Sequence, residues 1–292
     1  YGLSGMGKSA IALKLIEEIN TQFDYIIWKS LNNLPTLSFL QTELKDFFSP
    51  SQPTSLSTVI DYFRKFRCLV ILDDLQDIFK TGELAGQYLT EYKNYGTFFK
   101  QIARTPHHSC IILISWEKPR EIATLEAENR PIRTLYLKGL GEEATEILRE
   151  KGLTDEQQWL DLITRYQGHP VWLNLIASTI LELFNGRVAQ FLEDKNDIFI
   201  GELSPILESK LERLSDLEKQ VISRLAHQQQ VIDISQQLAD REFSKTDLLQ
   251  AIQSLVRRGL VEKISEGERS LFELNPVFQQ YIPNSIPSSN SN

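Results

Sequence analysis

Apolar positions along this chain change their rhythm twice. Over the first stretch, short runs rich in β-branched side chains alternate with segments whose apolar residues recur every three or four positions. The runs are residues 25–28, 68–72, 110–114 and 132–137; a helical segment over 10–19 precedes them, and the helical segments between them include 37–48, 54–66 and 96–103. Such alternation predicts a parallel sheet flanked by helices. After Lys138-Gly139-Leu140 the strand signals stop. Residues 142–184 read as helices broken at Gly152 and at Gly168-His169-Pro170, with Pro170 suited to the first turn of a helix over 171–184, where its absent N–H costs nothing.

The second change comes near residue 206. Ser215-Asp216-Leu217-Glu218 forms a capping box that opens a helix running to His227, and a shorter helical segment covers 234–239. Ser244 caps a helix over 245–258 that Gly259 ends. An apolar run at 260–265, a Glu266-Gly267 turn and a second run at 270–274 complete the unit. Three helices followed by a hairpin predict a winged helix. The expected partition is 1–138, 139–203 and 204–283, and the Ser-, Asn- and Pro-rich end, 284–292, is expected to be a disordered tail.

Chemistry enters at the first residues. Gly2-Leu3-Ser4-Gly5-Met6-Gly7-Lys8-Ser9 spells the phosphate-loop pattern G-x-x-x-x-G-K-S and leads into the first helical segment. The glycines let the backbone curl so that N–H groups converge on a phosphate. Gly2, Ser4, Gly5, Met6, Gly7, Lys8, Ser9 and Ala10 are the candidate nucleotide-binding residues, with Lys8 reaching the β/γ oxygens and the Ser9 hydroxyl offered to Mg²⁺. Such a loop follows a buried strand, and no apolar run precedes it here. The first, central strand is therefore expected to lie before Tyr1, giving five strands with the four runs.

Residues 69–72 form an apolar run that ends in Asp73-Asp74, the acidic strand end that a phosphate loop requires. Asp73 is the candidate Mg²⁺ partner opposite Ser9, and Asp74 the candidate catalytic base for an attacking water. The run 111–114 ends in Ser115-Trp116-Glu117-Lys118, where a γ-phosphate sensor belongs, and an indole cannot supply the two charge-assisted bonds of a guanidinium. His107-His108 reads as a surface loop rather than a metal pair.

Composition narrows the alternatives. A length of 292 residues with 41% hydrophobic side chains suits two or three globular domains, and no apolar run reaches a membrane span, so the expected compartment is the cytoplasm. Cys68 and Cys110 lack metal-ligand spacing and are expected to be buried free thiols. The net charge of −8 argues against polyanion binding, and residues 209–283 carry ten Lys/Arg against eleven Asp/Glu, whereas a DNA reader shows a basic excess.

With these residues placed, the chain resembles the NB-ARC nucleotide-binding module of STAND signalling ATPases. The resemblance rests on residues 2–9, on Leu72-Asp73-Asp74, on Gly168-His169-Pro170-Val171-Trp172-Leu173 in place of the family's Gly-x-Pro-Leu-Ala-Leu, and on Leu211-Glu212-Arg213-Leu214-Ser215. The stretch from Ile114 through Pro119 to Ile122 is most similar to cyanobacterial members that carry WD repeats. The resemblance implies ATP or ADP with Mg²⁺ as cofactors, Pro170 beside the adenine, and exchange of ADP for ATP that opens the module for self-association. It also implies effector and sensor domains elsewhere in a longer protein. Two positions depart from the pattern: Trp116 stands where the family usually has Arg, and Leu274-Asn275-Pro276-Val277 replaces a His-Asp pair that senses ADP. Three functions follow as alternatives: a switch with slow ATPase chemistry at most, a nucleotide-binding scaffold without hydrolysis, and a winged-helix DNA-binding regulator.

Overall fold

The computed structural model describes residues 1–49, 56–194, 198–228, 232–233, 243–266 and 269–285. The chain forms two compact units, and neither is continuous in sequence. The first holds Tyr1–Gly2, Gly7–Lys80 and Ala85–Tyr136; the second holds Leu3–Met6, Thr81–Leu84 and the chain from Leu137 on.

The first unit is a parallel sheet with helices. Its strands are β1 (Tyr25–Ser30), β2 (Cys68–Asp73) and β3 (Cys110–Leu113), in the order β1-β2-β3. The register aligns Ser30 with Asp73 and Leu72 with Leu113. As the middle strand, β2 is covered on both faces, which is why residues 68–72 form an unbroken apolar run and are all buried. The helices are α1 (Lys8–Ile19), α2 (Leu37–Phe48), α3 (Val59–Lys65), α4 (Lys93–Arg104) and α5 (Arg120–Ala127). Thr36 caps α2 by accepting the Phe39 N–H, and Leu37, Leu40, Leu44 and Phe48 form its buried stripe. Thr58 and Asp61 close a capping box on α3. In α1 only Ala12 is buried, and Ile11, Leu13 and Leu15 are exposed.

Three expectations for this unit need correcting. Residues 132–137 form no strand. A ladder needs a neighbour, none of the described strands runs beside this segment, and the run is divided: Tyr136 counts with the first unit while Leu137 packs against the core of the second. Cys110 is exposed, because it opens β3 at the end of the three-strand order, whereas Cys68 on the central strand is buried as expected. Helix α3 begins at Val59, where the Thr58 capping box sets its start; residues 54 and 55 of the predicted segment lie outside the described residues.

The second unit is mostly helical, with α6 (Thr145–Glu150), α7 (Trp159–Arg165), α8 (Pro170–Phe184), α9 (Val188–Phe191), α10 (Ser204–Leu211), α11 (Asp216–Gln228), α12 (Lys245–Arg257) and α13 (Pro276–Ser285). A small antiparallel sheet has the order β4-β6-β5, from β4 (Ile232–Asp233), β5 (Val261–Glu266) and β6 (Arg269–Leu274). One apolar core runs through the unit from Ala144 to Ile282 and takes in Leu3 and Met6. The predicted segment 234–239 and the turn residue Gly267 lie outside the described residues. Asn284 and Ser285, the first two residues of the predicted tail, belong to α13, and residues from 286 on lie outside the described residues.

Within this core Glu218 and Arg258 are buried as an ion pair. Arg258 donates from Nε to Glu218 Oε1 at 2.9 Å and from Nη2 to the carbonyl oxygens of Glu83 and Arg213 at 2.6 and 3.2 Å. The Ser254 hydroxyl donates to Glu218 Oε1 at 2.6 Å. Glu218 also completes the predicted capping box, its Oε2 accepting the Ser215 N–H at 2.9 Å.

Candidate functional site

The phosphate-loop residues are divided between the two units. In the first, Gly7 takes φ 90° and caps α1, a left-handed conformation that favours glycine, and a Cβ added there meets nothing within 4 Å. Ile11 donates to the Gly7 carbonyl at 3.0 Å, so the helix starts directly from the loop. Lys8 folds back and donates from Nζ to the Gly2 carbonyl at 2.9 Å, while the Gly2 N–H is accepted by the Ser115 carbonyl at 3.3 Å. Burial pushes the Lys8 ammonium down to about 8, with Asp73 and then Asp74 acting in the opposite direction.

At the end of β2, Asp73 Oδ2 accepts the Ser9 hydroxyl at 2.9 Å and its Oδ1 accepts the Asp74 N–H at the same distance. The sheet places these groups: parallel strands present their C-terminal ends on one side, and the loop opens there. A hydroxyl and a carboxylate this close are hard oxygen donors suited to Mg²⁺. Among the described residues no cluster of three or more His, Cys, Asp or Glu could hold a metal by itself, so an ion here would complete its shell with water and phosphate oxygens.

Asp74 is more tightly tied than an adjacent acid in a solvated turn. It has φ 59°, and its two carboxylate oxygens accept from the Ser30 hydroxyl at 2.8 Å and from Gln76 Nε2 at 3.2 Å. Gln76, 2% exposed, also accepts the Trp116 N–H through Oε1 at 3.2 Å. The amide thus joins the β2 end to the segment after β3, the predicted sensor position. Neither Ser30 nor Gln76 stood out in the sequence. The signal for Ser30 is its register opposite Asp73; a Gln two residues past an acidic strand end carries none. His107 is half-buried beside Phe63 and its Nδ1 accepts the Ser109 N–H at 3.2 Å, while His108 is exposed.

The loop tip, Leu3–Met6, is part of the second unit. Leu3 and Met6 are buried in its core. His169 caps α8, its Nδ1 accepting the Trp172 N–H at 3.3 Å, and its Nε2 lies 2.9 Å from the Ser4 carbonyl. Pro170 takes the first turn of α8, as its missing N–H predicts. Two glycines set this corner: a Cβ at Gly139 would lie 1.8 Å from the Gln167 carbonyl oxygen, and one at Gly168 would lie 1.7 Å from that of Leu140. Either substitution forces the backbone apart.

Comparison with solved structures reads this architecture directly. The Walker-type ATPase of Pyrococcus abyssi superposes with a TM-score of 0.55 at 15% identity, covering 96% of this chain and 89% of that one. The fold is that of a Walker-type P-loop ATPase. A STAND protein with a tetratricopeptide repeat sensor from Pyrococcus horikoshii aligns over 97% of this chain and 39% of that one at 18% identity with a TM-score of 0.40. In sequence, an uncharacterized WD repeat-containing protein of Nostoc sp. is 34% identical over 308 aligned positions that take in 98% of this chain. The chain spans 24% of that relative's length. No protein-family model matches.

Proposed function

We propose that this P-loop fold is the nucleotide-dependent switch module of a longer STAND-type signalling protein, binding ADP or ATP with Mg²⁺ at residues 2–9. The observation that carries the proposal is the Ser9–Asp73 contact at 2.9 Å, which joins the end of the loop to the end of β2 where a metal-bound phosphate needs both. Mg²⁺, when bound, neutralises charge on the β- and γ-phosphate oxygens. The chain's own residues do the rest: Lys8 places a desolvated ammonium across the loop, loop N–H groups supply donors, and Asp73 orients the ion. Pro170, at the start of α8, is assigned to the adenine side. The assigned partition is a nucleotide-binding domain over 1–138, a helical domain over 139–203 and a winged helix over 204–283. Effector and sensor domains and self-association in the ATP state complete the proposal, with the cytoplasm as the compartment; no helix among the described residues is long and apolar enough to cross a membrane.

Asp73→Asn tests the metal assignment. The amide keeps the shape and loses the charge, so affinity for ADP with Mg²⁺ is expected to fall about tenfold or more while affinity in chelator stays within about twofold. Calorimetric titration in both buffers reads the difference, and equal losses in the two would contradict the role.

A second reading, a nucleotide-binding scaffold without ATPase activity, is favoured by the state of Asp74. A base must turn toward an attacking water, and here the carboxylate is already held in place by Ser30 on one oxygen and Gln76 on the other, with one acceptor site left on each. Single-turnover hydrolysis of ATP separates the two readings.

A further inference from the structure

We infer that His169 is a positioning residue for the phosphate loop, holding the Ser4–Gly5 peptide in the orientation that turns the Gly5 N–H toward a bound phosphate. The inference rests on the nucleotide reading and assigns a residue outside the phosphate-loop pattern to the same site.

Two hydrogen bonds fix the state of the ring. Nδ1 accepts the Trp172 N–H at 3.3 Å and therefore carries no proton of its own. In the neutral imidazole the proton is then on Nε2, and that nitrogen faces the Ser4 carbonyl at 2.9 Å, an oxygen that can only accept. His169 thus spans from the cap of α8 to the loop tip with both nitrogens used. The ring has no exposed surface and stacks on Trp172 with centroids 4.0 Å apart and planes 8° from parallel, so it has no room to turn.

The consequence for the loop follows from peptide planarity. In a trans peptide the C=O and the next N–H point in opposite directions. Holding the Ser4 carbonyl on His169 therefore aims the Gly5 N–H away from the imidazole. Gly5 is at φ 80°, and a Cβ there would lie 2.7 Å from Val171 Cγ2 and 3.1 Å from His169 Cε1, so this corner of α8 leaves room for the bare glycine backbone and for no side chain. A donor fixed in advance loses less entropy when an anion arrives.

The test uses the two amides that each copy one nitrogen. In His169→Asn the side-chain oxygen replaces Nδ1, keeps the helix cap and cannot reach Ser4; in His169→Gln the longer amide replaces Nε2 and can donate to that carbonyl. The unaltered chain and both variants are titrated with ADP by calorimetry, with melting followed by circular dichroism. His169→Asn is expected to melt near the unaltered chain and to bind about tenfold more weakly, and His169→Gln to recover affinity to within about threefold. Asparagine binding as tightly as histidine, or glutamine as weak as asparagine, would overturn the inference. A chain that binds no ADP before any substitution would instead sink the nucleotide reading. Long-range ¹H–¹⁵N spectra of the imidazole decide the point without a variant: a neutral Nε2–H tautomer is expected, and an Nδ1–H tautomer would overturn it.

Discussion

Lys8→Ala is expected to reduce ADP and ATP affinity by at least about a hundredfold, the largest functional effect of any single change in this chain. Its ammonium already lies against the Gly2 carbonyl, and burial pushes it down to about 8, so much of its desolvation is incurred before a phosphate arrives. Alanine removes the charge from the first position of α1 without opposing the helix, since Ala has the highest helix propensity. Folding should therefore survive, and circular dichroism melting beside calorimetry distinguishes lost binding from lost structure. A folded variant that keeps affinity within about threefold would show that the loop is not a phosphate site.

Glu218→Ala is expected to cost about 3–5 kcal/mol of stability in the second unit, the largest structural effect. The carboxylate is fully buried and satisfies Arg258, Ser254 and the Ser215 N–H together. Its removal leaves the Arg258 guanidinium, 6% exposed, without its counter-charge, and takes away the carboxylate half of the α11 capping box, while the Ser215 hydroxyl still accepts the backbone N–H of residue 218. Urea unfolding followed by tryptophan fluorescence reads this through Trp159 and Trp172, both buried in the same core. The companion replacement Glu218→Leu with Arg258→Met should recover much of the loss, because a buried pair offers little over apolar side chains of similar volume. A single-variant cost below about 1 kcal/mol would mean that water reaches the pair.

What the sequence could and could not disclose follows from the range of each interaction. The loop, the acidic end of β2, the caps of α11 and α12 and the proline start of α8 are local: each depends on residues within a few positions, and each appears where the pattern places it. Residues 132–137 have a strand's composition, yet a strand exists only beside another, and apolar alternation does not specify its neighbour. Cys110 is exposed against expectation for the related reason that burial of an apolar run depends on which strand lies in the middle. The motif around His169 is legible in the sequence, but its contact with the loop is not, because the partner, Ser4, is 165 positions away and contributes a backbone carbonyl, which no side-chain pattern encodes. Gln76 was missed likewise, since what it links is Asp74 to the backbone of Trp116.

Whether residues 2–9 hold a nucleoside phosphate is read most directly by a calorimetric titration of the unaltered chain with ADP in the presence of Mg²⁺. Saturable binding at one site per chain in the micromolar range or tighter is expected, accompanied by a rise in melting temperature as the ligand stabilises the folded form. Absence of heat and of any thermal shift up to millimolar ADP, in a chain that circular dichroism shows to be folded, would contradict it.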